Sequence, residues 1–261
     1  MRPRRAVKSG MSEEPEKLAE GTLISHLLEL RNRLMRAFAA VLIVFVPCAV
    51  YANAIFEWIE RPLLKELPSG STLIATSITS PFTTPFKLAF IVALLLAMPY
   101  VLYQIWSFVA PGLYRREKRF ARPLLFSAIF LFYCGAAFAY WIVFPVMFKF
   151  FVGTLPKGVQ MMADITNYMD FVLVMLLAFG VAFEVPVAVV LLVATGLVSV
   201  EKLKDIRGYV LIAIFVIAAI LTPPDAISQT IMALPMYALY EGGILFARFL
   251  TRKQPEATAD E

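Results

Sequence analysis

The sequence predicts an all-α membrane protein with six transmembrane helices and both termini in the cytoplasm. Three observations carry that prediction. First, 60% of the 261 residues are hydrophobic and 16% charged, with a mean hydropathy of +0.76, whereas a soluble domain is roughly 45–50% apolar and 25% charged. Second, apolar runs long enough to cross about 30 Å of hydrocarbon recur from end to end, leaving no length for a sizeable soluble domain. Third, basic residues alternate between connections. Nineteen of the 24 Lys and Arg fall in residues 1–36, 109–122, 193–208 and 248–261, and four (Arg61, Lys65, Lys149, Lys157) in the other connections. Short loops rich in Lys and Arg stay in the cytoplasm. The net charge of +5 belongs to this pattern rather than to a nucleic-acid surface, because the cations stand beside apolar runs.

Residues 1–21 are polar and read as a flexible segment in which Met11 offers an alternative start. Arg4 and Arg5 do not make a cleaved export signal: Glu13, Glu14, Glu16 and Glu20 intervene, and the first apolar run is long enough to stay in the bilayer. Residues 22–36, TLISHLLELRNRLMR, form an interfacial amphipathic helix with Leu23, Leu27, Leu30 and Leu34 on one face. Ser25, Glu29, Asn32 and Arg36 fall on the other. The membrane domain runs over 22–250, with spans near 35–54, 86–108, 123–148, 168–192, 209–221 and 227–247, and 251–261 form a cytoplasmic tail.

Pro47, Pro99, Pro145, Pro186 and Pro235 lie within or near the ends of spans. Each removes a backbone donor and can bend its helix, and kinked helices enclose a concave face rather than a straight bundle. The fifth span, YVLIAIFVIAAIL, has 13 residues and the sixth has 14 before Glu241. At about 1.5 Å per residue such a run covers roughly 20 Å, short of the bilayer core. Either the membrane thins there, another subunit covers the mismatch, or local packing absorbs it. TPPD (222–225) makes the tight reversal between these spans, with Asp225 as N-cap of the sixth. Cys48 and Cys134, inside apolar runs, behave as small hydrophobes rather than as a disulfide or metal site.

The chain holds no G-x-x-x-x-G-K-[ST], G-x-S-x-G or H-E-x-x-H pattern, so no catalytic residue, metal or cofactor is expected. The single histidine, His26, is a polar-face residue without a ligand partner. Three carboxylates carry the interest. Glu29 stands four residues before Arg33, the spacing of a surface helix pair. Glu117, in APGLYRREKRFARP (110–123), is the one acid among Arg115, Arg116, Lys118, Arg119 and Arg122, and its neighbours alone give it charge relief. Both acids lie at the cytoplasmic membrane surface amid cations that repel most positive ligands. Together they can take a ligand with two guanidinium groups, each docking as a planar fork on a carboxylate. Glu184, in FGVAFEVP, lies about 12 Å inside the fourth span. At that depth an ionisable group faces a wet cavity, pairs, or takes up a proton. An alternative reading makes Glu184 the proton site of a small-solute transporter, which predicts an internal repeat with paired broken helices. No such halves are visible, and an intramembrane hydrolase would need a nucleophile and base that are missing.

HLLELRNRL, LIATSITSPFTTPFKLAF, YQIWSFVAPGLYRREKRF, FGVAFEVPVAVVLL and LTPPDAISQTIMALPMYALYE, in order from about residue 22 to 250, together resemble the TatC family, the receptor component of the twin-arginine protein translocase. The resemblance implies a concave, glove-like arrangement of six helices with two short final spans. It implies capture of folded cargo bearing an Arg-Arg signal peptide, without enzymatic chemistry or cofactor. Export across the inner membrane, driven by the proton-motive force, would use TatA- and TatB-type single-span partners and further copies of the chain. The family's signal-recognising acids match Glu29 and Glu117, and its other sensitive positions match Arg31, Pro62, Phe82, Phe108, Leu113, Tyr114 and Asp225. Its intramembrane acid matches Glu184. A polar patch for the partner helix carries over to Thr222 and Gln229, but Ala219 stands where the family often has methionine, which weakens that correspondence.

Overall fold

Hydrocarbon offers the backbone no water, so each spanning segment must satisfy its own N–H and C=O groups, and it does so as helix. The computed structural model describes residues 14–66, 73–109, 118–156, 159, 162–223 and 225–252. α1 (Glu14–Val50) joins the amphipathic stretch and the first span into one helix of 37 residues. α2 (Ala52–Glu66) follows at once, then α3 (Ser80–Val109), the second span. The third consists of α4 (Lys118–Phe138), a π-helical turn (Ala139–Val143) and α5 (Phe144–Gly153), and the fourth of α6 (Ile165–Ala182) and α7 (Val185–Ala194). α8 (Val200–Asp205) is a short surface turn before α9 (Arg207–Leu221) and α10 (Ala226–Arg252), the fifth and sixth spans.

Five stretches are long and apolar enough to cross a membrane: Leu27–Val50, Ser80–Phe108, Pro123–Gly153, Ile165–Ala194 and Ala226–Phe249. α9, with 15 residues, is short as the sequence suggests. The sixth span is longer than its 14-residue apolar run. Glu241 does not end it, because Arg207 Nη2 donates to Glu241 Oε2 at 2.6 Å and Tyr237 Oη to Glu241 Oε1 at 3.0 Å. Partnered from a neighbouring helix, the carboxylate can be carried into the bilayer edge.

Two of the five prolines coincide with breaks in their spans, while Pro47, Pro99 and Pro235 lie inside unbroken helices. Pro145 has no N–H for the carbonyl of residue 141, and just before it the chain widens into the π-helical turn, where Phe144 N–H reaches back to the Ala139 carbonyl. Pro186, at the start of α7, leaves Phe183 and Glu184 as a non-helical joint in the fourth span. The α4–α6 crossing is unusually close at two points. A Cβ on Gly135 of α4 would lie 2.4 Å from the Phe179 carbonyl oxygen of α6, and one on Gly180 2.6 Å from the Phe132 ring. Glycine lets these backbones approach as membrane helices need, since lipid supplies no hydrophobic drive for helix pairing. Around the crossing Phe132, Phe144, Met169, Val172, Met175 and Phe179 are all but fully buried.

The connection after the first span begins as a helix, α2. In α2, Ile55, Phe56 and Ile59 turn inward, and Ile59 is 2% exposed. Tyr168 Oη donates to the Ile59 carbonyl at 3.1 Å, while the Tyr140 ring stacks on Trp58 at 4.6 Å and donates to its carbonyl at 2.9 Å. A single bridge pairs Ile74 with Asp164, closing the surface formed by the connections after α1 and α5. That surface is the one opposite the start of α1.

Candidate functional site

Glu29 sits on α1 one turn before Arg33, whose Nε and Nη2 both donate to Glu29 Oε1, at 3.0 and 2.6 Å. Among the described residues Oε2 has no partner. The pair lines an open cleft of about 390 Å³ with Ser25, Leu28, Asn32 and Arg36. An i,i+4 ion pair of this kind contributes only about 0.3–0.5 kcal/mol. Arg33 therefore holds the carboxylate in place without committing it. Arg31 points to the exposed side of the helix and makes a long contact, 3.4 Å, to Asn32 Oδ1.

The packing of α3 on α1 places the other candidates in height. Phe45 meets Phe90 with ring centroids 5.8 Å apart, and Ala49 and Val50 share a cleft with Pro81, Phe82, Pro85 and Phe86. Rising numbers on α1 thus meet falling numbers on α3: the helices are antiparallel. Glu29 lies 16 residues before Phe45, and Phe108 lies 18 after Phe90, heights of about 24 and 27 Å. Within one helical turn, Glu29 and the half-buried Phe108 stand at the same level, and the chain leaves α3 there for residues 110–117. Leu113, Tyr114 and Glu117 belong to that segment and lie outside the described residues.

Glu184 occupies the joint between α6 and α7, its N–H donating to the Val181 carbonyl at 3.0 Å. It is half-buried, and its Oε1 is fully enclosed with no protein donor. A buried carboxyl oxygen without a partner is costly, so the joint keeps an unmet demand for a proton, a water or a visiting donor.

Thr222 and Gln229 flank the α9–α10 reversal. Thr222 is 6% exposed and donates to the Ala218 carbonyl at 2.8 Å, and Gln229 is half-buried. Asp225 caps α10 as expected: its Oδ1 accepts from the Ser228 N–H at 2.7 Å. That bond holds the carboxyl below its ordinary range. Ser228 was not singled out from sequence, yet it is fully buried here with its Oγ unpartnered.

Phe82 is 69% exposed on the surface opposite the start of α1 and packs on Phe86 at 4.9 Å. Pro62 lies in α2. Neither shares the Glu29 cleft. Asp164, also missed, caps α6 by accepting from Thr166 and Asn167 and from both N–H and Oγ1 of Thr76. The Thr76 hydroxyl, with the three N–H groups, pulls its carboxyl down to about 2. Among the described residues no cluster of His, Cys, Asp or Glu is built to hold a metal.

Five full spans, one short one and a carboxylate at a joint inside the fourth define a polytopic helical membrane protein. Residues 25–235 match the family described as Sec-independent protein translocase protein (TatC), and the chain belongs to the TatC family. It is 52% identical over 235 residues to the TatC of Haemophilus influenzae, covering 90% of this chain and 92% of that one. To the TatC of Azotobacter chroococcum it is 50% identical over 249 residues (95% and 98% covered), and to that of Escherichia coli K12 51% over 231 residues (88% and 90%). The fold superposes with a TM-score of 0.79 on a crystal structure of the twin-arginine translocase receptor TatC, at 39% identity, covering 87% of this chain and all of that one. The chain is a core component of the Sec-independent, twin-arginine translocase.

Proposed function

We propose that this chain is the signal-peptide receptor of that translocase, with both termini in the cytoplasm and the membrane domain in the inner membrane. Glu29 and Glu117 each take one guanidinium of a cargo's Arg-Arg pair, with Arg31, Phe108, Leu113 and Tyr114 around them. The observation that carries this reading is the antiparallel register of α1 and α3. It supports a short reach between Glu29 and the end of α3, because Glu29 and Phe108 stand at one height. Charge-assisted hydrogen bonds contribute roughly 1.5–3 kcal/mol each, so two acids supply about 3–6 kcal/mol. Micromolar binding corresponds to about −8 kcal/mol. The arginine pair selects, and the signal's apolar stretch along the bent spans adds much of the hold.

The chain performs no bond chemistry itself. Single-span partners of the TatA and TatB type seat near Thr222 and Gln229, further copies of the chain complete the receptor complex, and the proton-motive force drives transport. Glu184 is the polar point that such partners or cargo meet inside the membrane, and Pro62, Phe82 and Asp225 serve the assembly at the opposite surface. Photocrosslinking of an Arg-Arg signal peptide to the 110–117 segment tests the receptor role. Glu117→Ala, or Lys-Lys in the peptide, is expected to cut the adduct sharply; adducts at full yield in both would remove the two-acid site.

A further inference from the structure

Between α6, α9 and α10 the molecule leaves a side-opening groove of about 530 Å³. Val174 and Val181 form one wall, Val210 and Ile217 the other, and Met236 and Tyr240 the floor. Val174, Val181 and Ile217 are 42–59% exposed, so the groove opens outward to where the bilayer lies. Along α9 it runs from Val210 to Leu221, about 17 Å at the rise of a helix.

Its end nearest α8 is polar. Arg207 lies one turn before Val210, and Tyr240, on the groove floor, is followed directly by Glu241, the partner of Arg207. Tyr240 Oη donates to the Leu203 carbonyl at 2.7 Å, which fixes this end against α8. Arg207 spends one Nη2 hydrogen on Glu241 and its Nε is enclosed, while its side chain as a whole is still 42% exposed. Glu241 accepts from Tyr237 as well, and Lys204 stands three residues before Arg207 in the sequence. Guanidinium donors in a planar fork match a phosphate.

We propose that this groove holds a glycerophospholipid, one acyl chain lying between α6 and α9 and the phosphodiester resting on Arg207. The polar end decides for a lipid: an apolar groove open to the bilayer ends beside a guanidinium that is still exposed after pairing with Glu241. A flexible chain fits between the walls, and it fills the side of a span too short to match the bilayer alone. The groove shares no residue with the Glu29 cleft.

Native mass spectrometry of the intact chain, purified in a maltoside detergent and given phosphatidylglycerol or phosphatidylethanolamine, tests it. The wild type is expected to retain one lipid of either kind. Arg207→Gln, which removes the phosphate donors, and Val181→Trp, which fills the groove from an exposed position, are each expected to lower retention at least fivefold. Val181→Trp should melt as the wild type does, separating loss of lipid from loss of fold. Equal retention in all three proteins overturns the proposal. So does a photoreactive residue at Ile217 that, in native membranes, yields adducts with a polypeptide and none with phospholipid.

Discussion

Glu29 keeps one oxygen for Arg33 and leaves the other unengaged among the described residues. The exchange energetics follow from that. Releasing an i,i+4 pair costs about 0.3–0.5 kcal/mol, whereas a visiting guanidinium gains roughly 1.5–3 kcal/mol per charge-assisted bond. Arg33→Gln should therefore leave affinity for an Arg-Arg peptide equal to or slightly above the wild type, read by fluorescence anisotropy in detergent. A large loss would make Arg33 part of the receptor site. Asp164 behaves differently, since its bonds are permanent. Its folded carboxyl titrates at about 2 against an ordinary 3.8, so the unfolded chain binds protons first as pH falls. Its stabilisation is complete above 3.8, drains as pH drops towards 2, and is absent below. Asp164→Asn should lower the melting temperature at pH 7, with the gap to the wild type closing near pH 2. A gap that stays constant with pH would remove the ionic cap.

At the scale of elements, the α4–α6 crossing is the tightest point. Gly135→Ala drives a methyl to 2.4 Å from a backbone oxygen, and overpacking of this kind costs about 1–3 kcal/mol. Thermal unfolding in detergent is expected to show that loss; an unchanged midpoint would mean the two helices can separate freely. Such crossings explain what could be read in advance. Hydropathy, charge alternation and proline positions act locally, so the six spans, the joint at Glu184 and the cap at Asp225 were legible. The bounds of the sixth span, 227–247, were legible too, but it was read as short, because Glu241 interrupts its apolar run until Arg207, 34 residues away, is seen to pair with it. The helical α2 was missed for a similar reason. Its inward face, Ile55, Phe56 and Ile59, has meaning only once Tyr168 and Tyr140 arrive from other spans. Of the candidate site, the acids were legible as isolated charges, and Ser228 was hidden because a buried serine leaves no periodicity.

For the whole molecule, orientation sets function. In the orientation proposed above, which the nineteen-to-four distribution of basic residues between alternate connections supports, the Glu29 surface faces the cytoplasm. The clamp joining α2, Ile74 and Asp164 then faces away from it. A single cysteine at Ser25 should react with a membrane-impermeant maleimide in inverted vesicles and not in intact cells with the outer membrane permeabilised, while one at Thr79 should do the reverse. The opposite pattern would invert the protein and leave both acids on the wrong side.

In the proposed receptor two carboxylates, one at the start of the first span and one between the second and third, act on one guest. Affinity of an Arg-Arg signal peptide for the wild type, Glu29→Ala, Glu117→Ala and the double variant measures this directly. Loss of about tenfold or more from each single change, at roughly 1.4 kcal/mol per tenfold, is predicted, with the same peptide carrying Lys-Lys nearly indifferent to either. Equal binding of the Arg-Arg peptide by all four proteins would contradict it.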